Sequence, residues 1–196
     1  MSRLKAPKRR QQLVEVATGL FARLGYDATT TAAIAEEAGI TEPVLYRHFA
    51  SKQEMFVAVV HAISVSAMAR WKAICDPPAN PPEQLRLVCQ HQHQSLTAVP
   101  EAYRLFHGVL ANSRDEVVLS AVREHFGELE RILASLLRAG QKQGAFRPDF
   151  EPHAMVLLLA STGIGLAMHE FSIEPGGVSA EQFADFSLRQ VMATGC

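Results

Sequence analysis

Apolar residues recur with the spacing of an α-helix along most of the chain. Between residues 13 and 24 they fall three or four positions apart, on one face of an amphipathic helix. These positions are Leu13, Val16, Ala17, Leu20, Phe21 and Leu24. The stretch from Asp115 to Gln143 shows the same spacing over a predicted length of roughly 40 Å. No segment alternates with the period of two that marks a half-buried strand, so the pattern predicts an all-α fold.

Capping residues and glycines divide the first quarter of the chain into short helices. Gly25 is placed to end the first helix, and Thr30 can cap a second one that Gly39 stops. Thr41 can cap a third, with Pro43 in its first turn, where the missing N–H costs little. A capping box formed by Ser51 and Glu54 then opens a fourth helix, from about Lys52 to Cys75.

Prolines separate the helices of the remaining chain. Residues 76–82 include four prolines and mark the clearest break. The predicted helices that follow run to about Val99, then over 101–111, 115–143, 153–171 and 179–193, the last capped by Ser179. The chain therefore has about nine predicted helices and no internal repeat.

The residues from Thr30 to Phe49 meet the steric demands of a helix-turn-helix. Ala35 supplies a small residue where two helices touch, and Gly39 lies in the turn, where we expect a Cβ to clash. Apolar residues that can fix both helices to the first helix occupy the remaining inner positions, namely Ile34, Ala38, Ile40 and Leu45.

Charge is distributed unevenly along the chain. The 196 residues carry 19 Lys and Arg against 20 Asp and Glu, a net charge of −1, which by itself disfavours binding to nucleic acid. Residues 1–52, however, carry eight basic and five acidic side chains, a net charge of +3, and residues 53–196 carry −4. The positive charge thus coincides with the predicted helix-turn-helix.

Cysteine usage and hydropathy predict a cytoplasmic protein. The three cysteines, Cys75, Cys89 and Cys196, are scattered without a CxxC pair, as is usual for reduced thiols. No signal peptide follows the basic N-terminus. The longest uncharged run, 154–168, has 15 residues, whereas a membrane span needs about 20, so no membrane association is predicted.

No arrangement of residues typical of catalysis or of a cofactor site is visible. His91 and His93 are two positions apart and diverge on a helix, and His169 lacks the second histidine of an HExxH motif. Gly163 and Gly165 fit close helix packing better than a dinucleotide loop. A metal-sensing site assembled from distant helices stays open, but the sequence predicts no enzyme, no cofactor and no metal.

Three segments together resemble the N-terminal domain of TetR-family transcriptional repressors. They read GYDATT over 25–30, IAEEAGI over 34–40 and LYRHFASK over 45–52, and the similarity extends over about residues 9–56. Beyond them only the number and length of the helices agree. The resemblance implies a DNA-binding domain over 1–52 and an effector-binding and dimerisation domain over 53–196.

The resemblance also implies which residues contact double-stranded DNA. A basic arm would lie near phosphates or in the minor groove, residues at the start of the second helix would hold a phosphate, and the third helix would read the major groove. Tyr46 and Lys52 would contact phosphates. The full set is Lys8, Arg9, Arg10, Thr30, Thr31, Thr41, Glu42, Pro43, Val44, Tyr46, Arg47, His48 and Lys52. Val44 departs from the common Ser or Thr and suits a thymine methyl group, so the operator cannot be copied from a relative.

The last two helices are implied to form a homodimer, and the helices between to hold a small, largely apolar effector. The predicted dimer residues are Met155, Leu158, Leu159, Leu166, Phe183 and Phe186. The predicted effector residues are Met68, Trp71, His91, Tyr103, Phe106, His107, Leu110, Phe126 and Met168. A repressor released by its effector is therefore expected. The alternatives are an activator or protein-partner adaptor of the same fold and, less favoured, an all-α carrier or enzyme.

Overall fold

The computed structural model describes residues 6–77, 79–98, 100–172 and 177–192, with side chains described except at 6, 96–104 and 167–172. This part of the chain forms nine α-helices and one isolated β-bridge, between Phe146 and Met192. The helices are α1 (Ala6–Leu24), α2 (Thr31–Glu37), α3 (Glu42–Tyr46), α4 (Lys52–Cys75), α5 (Pro81–Ala98), α6 (Pro100–Asn112), α7 (Glu116–Lys142), α8 (Pro152–Ser172) and α9 (Ala180–Val191). The all-α prediction is confirmed.

The predicted helix caps hold to different degrees. Thr30 accepts the N–H of Ala33 over 3.1 Å, and Ser179 forms a complete capping box with Gln182. Thr41 stands at the N-cap of α3, but its side chain makes no capping hydrogen bond. The box at Ser51 is only half formed, because the carboxylate of Glu54 accepts the N–H of Ala50.

The chain divides into two compact units, of which the first groups the residues up to 66 with 101–125. Its core contains an aromatic cluster in which the rings of Phe21, Tyr26 and Phe56 lie 4.9–5.8 Å apart. All three rings are buried. The cluster joins α1, the loop after it and α4, while α2 contacts α1 and α3. The functional boundary at residue 52 stays a prediction.

The second unit groups 67–100 with the residues from 126 onward and has its own apolar core, in which α5 packs along α9. A Cβ added to Gly163 would lie 2.9 Å from the amide nitrogen of Gln92, so α8 approaches α5 closely at this position. Gly165 faces open space instead. The expectation of close packing is therefore confirmed at Gly163 and wrong at Gly165.

Helix α4 is, within the described ranges, long and apolar enough to cross a membrane by length and composition. Its first half places Met55, Phe56 and Val59 in the core of the first unit, and its second half places Trp71 and Cys75 in the core of the second. The helix is therefore buried near both ends, whereas 17% of its most apolar 18-residue stretch is buried inside the structure.

Candidate nucleic-acid interface

Helices α2 and α3 form the predicted helix-turn-helix. Ile34, Ala35 and Leu45 are buried between them and the rest of the unit. Gly39 turns the chain with a φ of +64°, and the N–H of Ile40 closes the turn on the carbonyl of Ala35 over 2.9 Å. The expected clash at Gly39 is wrong, because an added Cβ would meet no atom within 4 Å. Glycine is favoured there because the backbone is left-handed.

Most residues predicted to read DNA lie on the surface of α3. Thr41, Pro43 and Arg47 are exposed, and Val44 and His48 are half-buried. Phe49, which directly follows this surface, is 1% exposed and belongs to the core, as expected. A short helix with a buried Leu45 on one side and polar residues on the other is the usual form of a recognition helix.

Three side chains join the start of α2 to α3. The hydroxyl of Thr31 donates to Glu42 over 2.6 Å, and it lies 3.2 Å from the hydroxyl of Tyr46. Tyr46 is 47% exposed, so this group of residues is accessible from the surface. We call Thr31, Glu42 and Tyr46 the hydroxyl–carboxylate cluster.

Lys52 lies where its ammonium stabilises a loop. Its Nζ donates to the carbonyls of Tyr26, Asp27 and Thr29 at 3.0–3.3 Å, and it lies 4.4 Å from the centroid of the Tyr26 ring. An ammonium has three protons to donate, and these bonds use all of them. The geometry favours a structural role for Lys52 over the predicted phosphate contact.

The predicted basic arm is helical in the structure. Lys8, Arg9 and Arg10 lie in the first turns of α1. Arg9 donates to Gln12 over 2.7 Å, whereas Arg10 lies over the ring of Phe49 at 4.4 Å and pairs with an acidic side chain of α4. These three basic residues are therefore part of a helix, and their contact with DNA stays a prediction.

A polar link ties the helix-turn-helix unit to α7 and was not foreseen. Asp115 caps α7 through the N–H groups of two residues and accepts a hydrogen bond from Gln53, 62 positions away. That bond holds the pKa of Asp115 below its usual value. Burial, with Asp115 beside it, raises the pKa of Tyr26 to about 12. No sequence pattern signals a contact between residues so far apart.

A second polar contact was missed although the sequence carries a sign of it. Ser64 of α4 lies 2.8 Å from Nδ1 of His125, whose ring stacks against Phe106 at 5.0 Å. Burial lowers the pKa of His125 and favours the neutral imidazole. His125 stands three residues after Val122 on the apolar face of α7, which marks it as a core position.

The predicted effector residues divide between the two units. Phe106, His107 and Leu110 belong to the first unit, and Met68, Trp71, His91 and Phe126 to the second. The side chains of Tyr103 and Met168 lie outside the described ones. Trp71 and Phe106 are buried, Leu110 is 37% exposed, and the others are half-buried. Within the described part, no three potential ligands come together at a metal site. The effector contacts stay a prediction.

A cavity of about 560 Å³ lies within the first unit, between the end of α1 and α6. Tyr26, Leu105 and Val109 contribute apolar walls, and Arg23 and Asp27 lie at its edge. None of the predicted effector residues whose side chains are described lines it.

The predicted dimer residues differ in how accessible they are. Met155, Leu159 and Phe183 are at most 6% exposed inside their own subunit and cannot contribute much surface to a partner. Leu166 is partly buried against the same core. Leu158 and Phe186 are 50% and 42% exposed, and Leu157 beside them is 46% exposed. Among the side chains of α8 and α9 that the structure describes, the exposed large apolar ones are therefore Leu157, Leu158 and Phe186.

These features define a helix-turn-helix DNA-binding protein with a second helical unit. Residues 13–59 match the model of the bacterial regulatory proteins of the tetR family. The HTH-type transcriptional repressor KstR2 of Mycobacterium tuberculosis is 33% identical over 150 residues, which are 73% of this chain and 72% of that protein. The chain belongs to the tetR family of transcriptional regulators.

Two further proteins are similar to this chain. The nucleoid occlusion factor SlmA of Vibrio vulnificus is 30% identical over 139 residues, 70% of this chain and 71% of that protein. The fold also matches the structure of AibR bound to isovaleryl coenzyme A and operator DNA, with a TM-score of 0.66, 22% identity and coverage of 94% and 98% of the two chains.

Proposed function

We propose that this protein is a homodimeric repressor that binds a near-palindromic operator in the cytoplasm and leaves it when a small, largely apolar effector binds. The observation that carries the proposal is the recognition helix itself, with Pro43, Val44 and Arg47 at its surface and Leu45 holding it to the core. The matching family of regulators and the repressor KstR2 support it. No catalytic step is ascribed to the chain.

The effector proposal extends what related structures hold. AibR was solved with isovaleryl coenzyme A, and the structurally similar FadR of Bacillus subtilis with stearoyl-CoA. Both ligands join an apolar acyl group to a polar carrier. An acyl-CoA thioester is therefore the class to examine first. Its acyl group agrees with the apolar effector that the sequence favours, whereas its polar coenzyme A part does not.

The decisive experiment is selection of bound duplexes from a random pool by the purified protein. We expect a near-palindromic sequence, because a two-fold dimer presents two identical recognition helices about one helical turn apart. Addition of acyl-CoA thioesters of increasing chain length is then expected to release the selected duplex. Selection without any sequence enrichment would contradict the repressor proposal.

A second candidate function, nucleoid occlusion, is favoured by one comparison. SlmA, at 30% identity, is a nucleoid occlusion factor by name, so the second candidate function for this chain is nucleoid occlusion by a DNA-bound protein that represses no gene. A reporter gene placed behind the selected operator distinguishes repression from this second function. Repression that is lifted by deleting this protein's gene supports the repressor, whereas an unchanged reporter with intact binding supports the second function.

A further inference from the structure

Glu42 accepts a hydrogen bond from a hydroxyl group that a DNA phosphate is predicted to use. A threonine hydroxyl has one proton to donate, and that of Thr31 is directed to Glu42 over 2.6 Å. The contact of 3.2 Å between Thr31 and Tyr46 must then use the proton of Tyr46. Both protons of this hydroxyl pair are therefore engaged within the hydroxyl–carboxylate cluster, and neither points at a phosphate.

A phosphate cannot simply be added to this arrangement. Two negative charges about 4 Å apart repel each other by roughly 4 kcal/mol near a protein surface. Carboxylate and phosphate oxygens are, however, equivalent acceptors for a hydroxyl donor. A phosphate that takes the proton of Thr31 must therefore displace the carboxylate of Glu42.

Once displaced from Thr31, the carboxylate of Glu42 can reach base edges in the major groove. Glu42 is the first residue of α3 and is only half-buried, between the exposed residues Thr41 and Pro43. In the major groove a carboxylate accepts a hydrogen bond from the N4 amino group of cytosine and is repelled by the acceptor groups of other bases. A carboxylate left there without a donor would be desolvated and unpaired, which is unfavourable.

We propose that Glu42 is an internal mimic of the DNA phosphate and a specificity-determining residue. In the unbound protein its carboxylate accepts the hydrogen bond of the Thr31 hydroxyl. When DNA binds, a backbone phosphate replaces it there, and Glu42 moves to read a cytosine. The contact between Thr31 and the DNA phosphate is thereby coupled to recognition of the correct base by Glu42. This inference rests on the proposed DNA binding.

The test compares Glu42→Gln with the parent on the selected operator, on each of its single-base variants and on random duplex. The variant keeps an acceptor for Thr31 but removes the charge. We expect its affinity for random duplex to rise about fivefold, and its preference at one cytosine position in each half-site to fall about tenfold. Thermal unfolding of both proteins checks that the fold is unchanged.

Glu36→Gln is the matched control for charge alone. Glu36 lies exposed on α2 and forms no side-chain hydrogen bond or ion pair within the described ranges. The Glu36→Gln variant is expected to bind random duplex more tightly than the parent, but by a smaller factor than Glu42→Gln does. It is expected to keep every base preference. Thr31→Val, which removes the phosphate donor, is expected to weaken the selected operator more than a duplex changed at that cytosine position, because the phosphate contact is coupled to the correct base. Thr31→Ser is expected to restore the affinity.

The possible outcomes separate the inference from the proposed function. If the parent selects a duplex and Glu42→Gln behaves as Glu36→Gln does, with every base preference retained, the exchange does not occur and this inference is overturned alone. If the parent enriches no duplex even at low salt, DNA binding fails and the inference fails with it.

Discussion

Lys52 is held by three carbonyls of the segment between α1 and α2, at 3.0–3.3 Å. These carbonyls belong to residues 26, 27 and 29, which have left helix α1 and have no helical partner. A single ammonium thereby organises the approach to α2. The same ammonium lies 4.4 Å from the centroid of the Tyr26 ring, which ties the loop to the aromatic cluster.

Replacement of Lys52 by Met is expected to destabilise the protein by about 2 kcal/mol, because the carbonyls lose a charged donor. Lys72→Met is the matched control, since Lys72 only pairs with Glu128 at the surface over 3.5 Å and should contribute less than about 1 kcal/mol. Denaturant unfolding measures both. An unchanged stability together with a salt dependence of DNA binding reduced by about one charge would instead support the phosphate contact.

Tyr26 makes stability depend on pH in the alkaline range. Its pKa in the folded protein is about 12, against an ordinary value of 10, mainly because the ring is buried. A raised folded-state pKa stabilises the neutral form, so this contribution is complete below pH 10 and is lost as pH rises toward 12.

The stability advantage of the parent over Tyr26→Phe should therefore be largest below pH 10 and shrink between pH 10 and 12. Comparing the two proteins removes the contribution of Cys75 and Cys89, whose pKa values burial raises to about 11. Unfolding free energies at pH 9, 10 and 11 measure the effect. An advantage that stays constant over this range would show that Tyr26 ionises equally in the folded and unfolded chains.

At the scale of helices, glycines have different roles that depend on backbone conformation. Gly39 adopts a φ of +64° between α2 and α3, and Gly127 lies within α7. An added Cβ meets no atom within 4 Å at either position, so sterics with neighbours cannot distinguish them. The backbone conformation does.

Gly39→Ala and Gly127→Ala are expected to have opposite effects. The first should destabilise by about 1–2 kcal/mol, because alanine is strained in the left-handed region. The second should stabilise by up to about 1 kcal/mol, because alanine favours the helix. Thermal unfolding measures the change in stability of both variants. Gly39→Asn should recover part of the stability that Gly39→Ala loses. Equal effects of the two alanines would contradict a conformational role for Gly39.

Helix boundaries were predictable because their signals are local. Thr30, Ser179, Pro81 and the glycines at 25 and 39 act on residues within a few positions, and the observed helices begin or end beside them. The failures have a different origin. Whether Thr41 forms a capping bond, or Glu54 bonds to residue 50 or 51, depends on rotamers that neighbouring helices select.

At the scale of the whole molecule, apolar surface remains on α8 and α9. Leu157, Leu158 and Phe186 are each more than 40% exposed. Exposed apolar groups of this size favour association with another protein surface, and a second copy of the same face would complete the dimer that the proposed palindromic operator requires.

The double variant Leu158→Glu and Phe186→Glu is expected to be a monomer of 21.5 kDa at micromolar concentration, whereas the parent should have about twice that mass. Two acidic groups on each face would be desolvated and would repel their copies in a two-fold interface. Val117→Glu is the control, because Val117 is 55% exposed on α7. Light scattering measures the mass of the parent and of both variants. A parent with the mass of a monomer would exclude the dimer.

The sequence by itself determined the helices, the helix-turn-helix and the family, because hydrophobic periodicity, caps and glycines act over a few residues. Only the tertiary structure decided what the polar side chains do. Lys52 bonds to a loop 23–26 residues away, Glu42 to Thr31 and Gln53 to Asp115. A long side chain can reach several partners, and the packing of the helices selects one of them. Packing likewise buried Met155 and Phe183 and left Leu158 and Phe186 exposed, which periodicity alone could not distinguish.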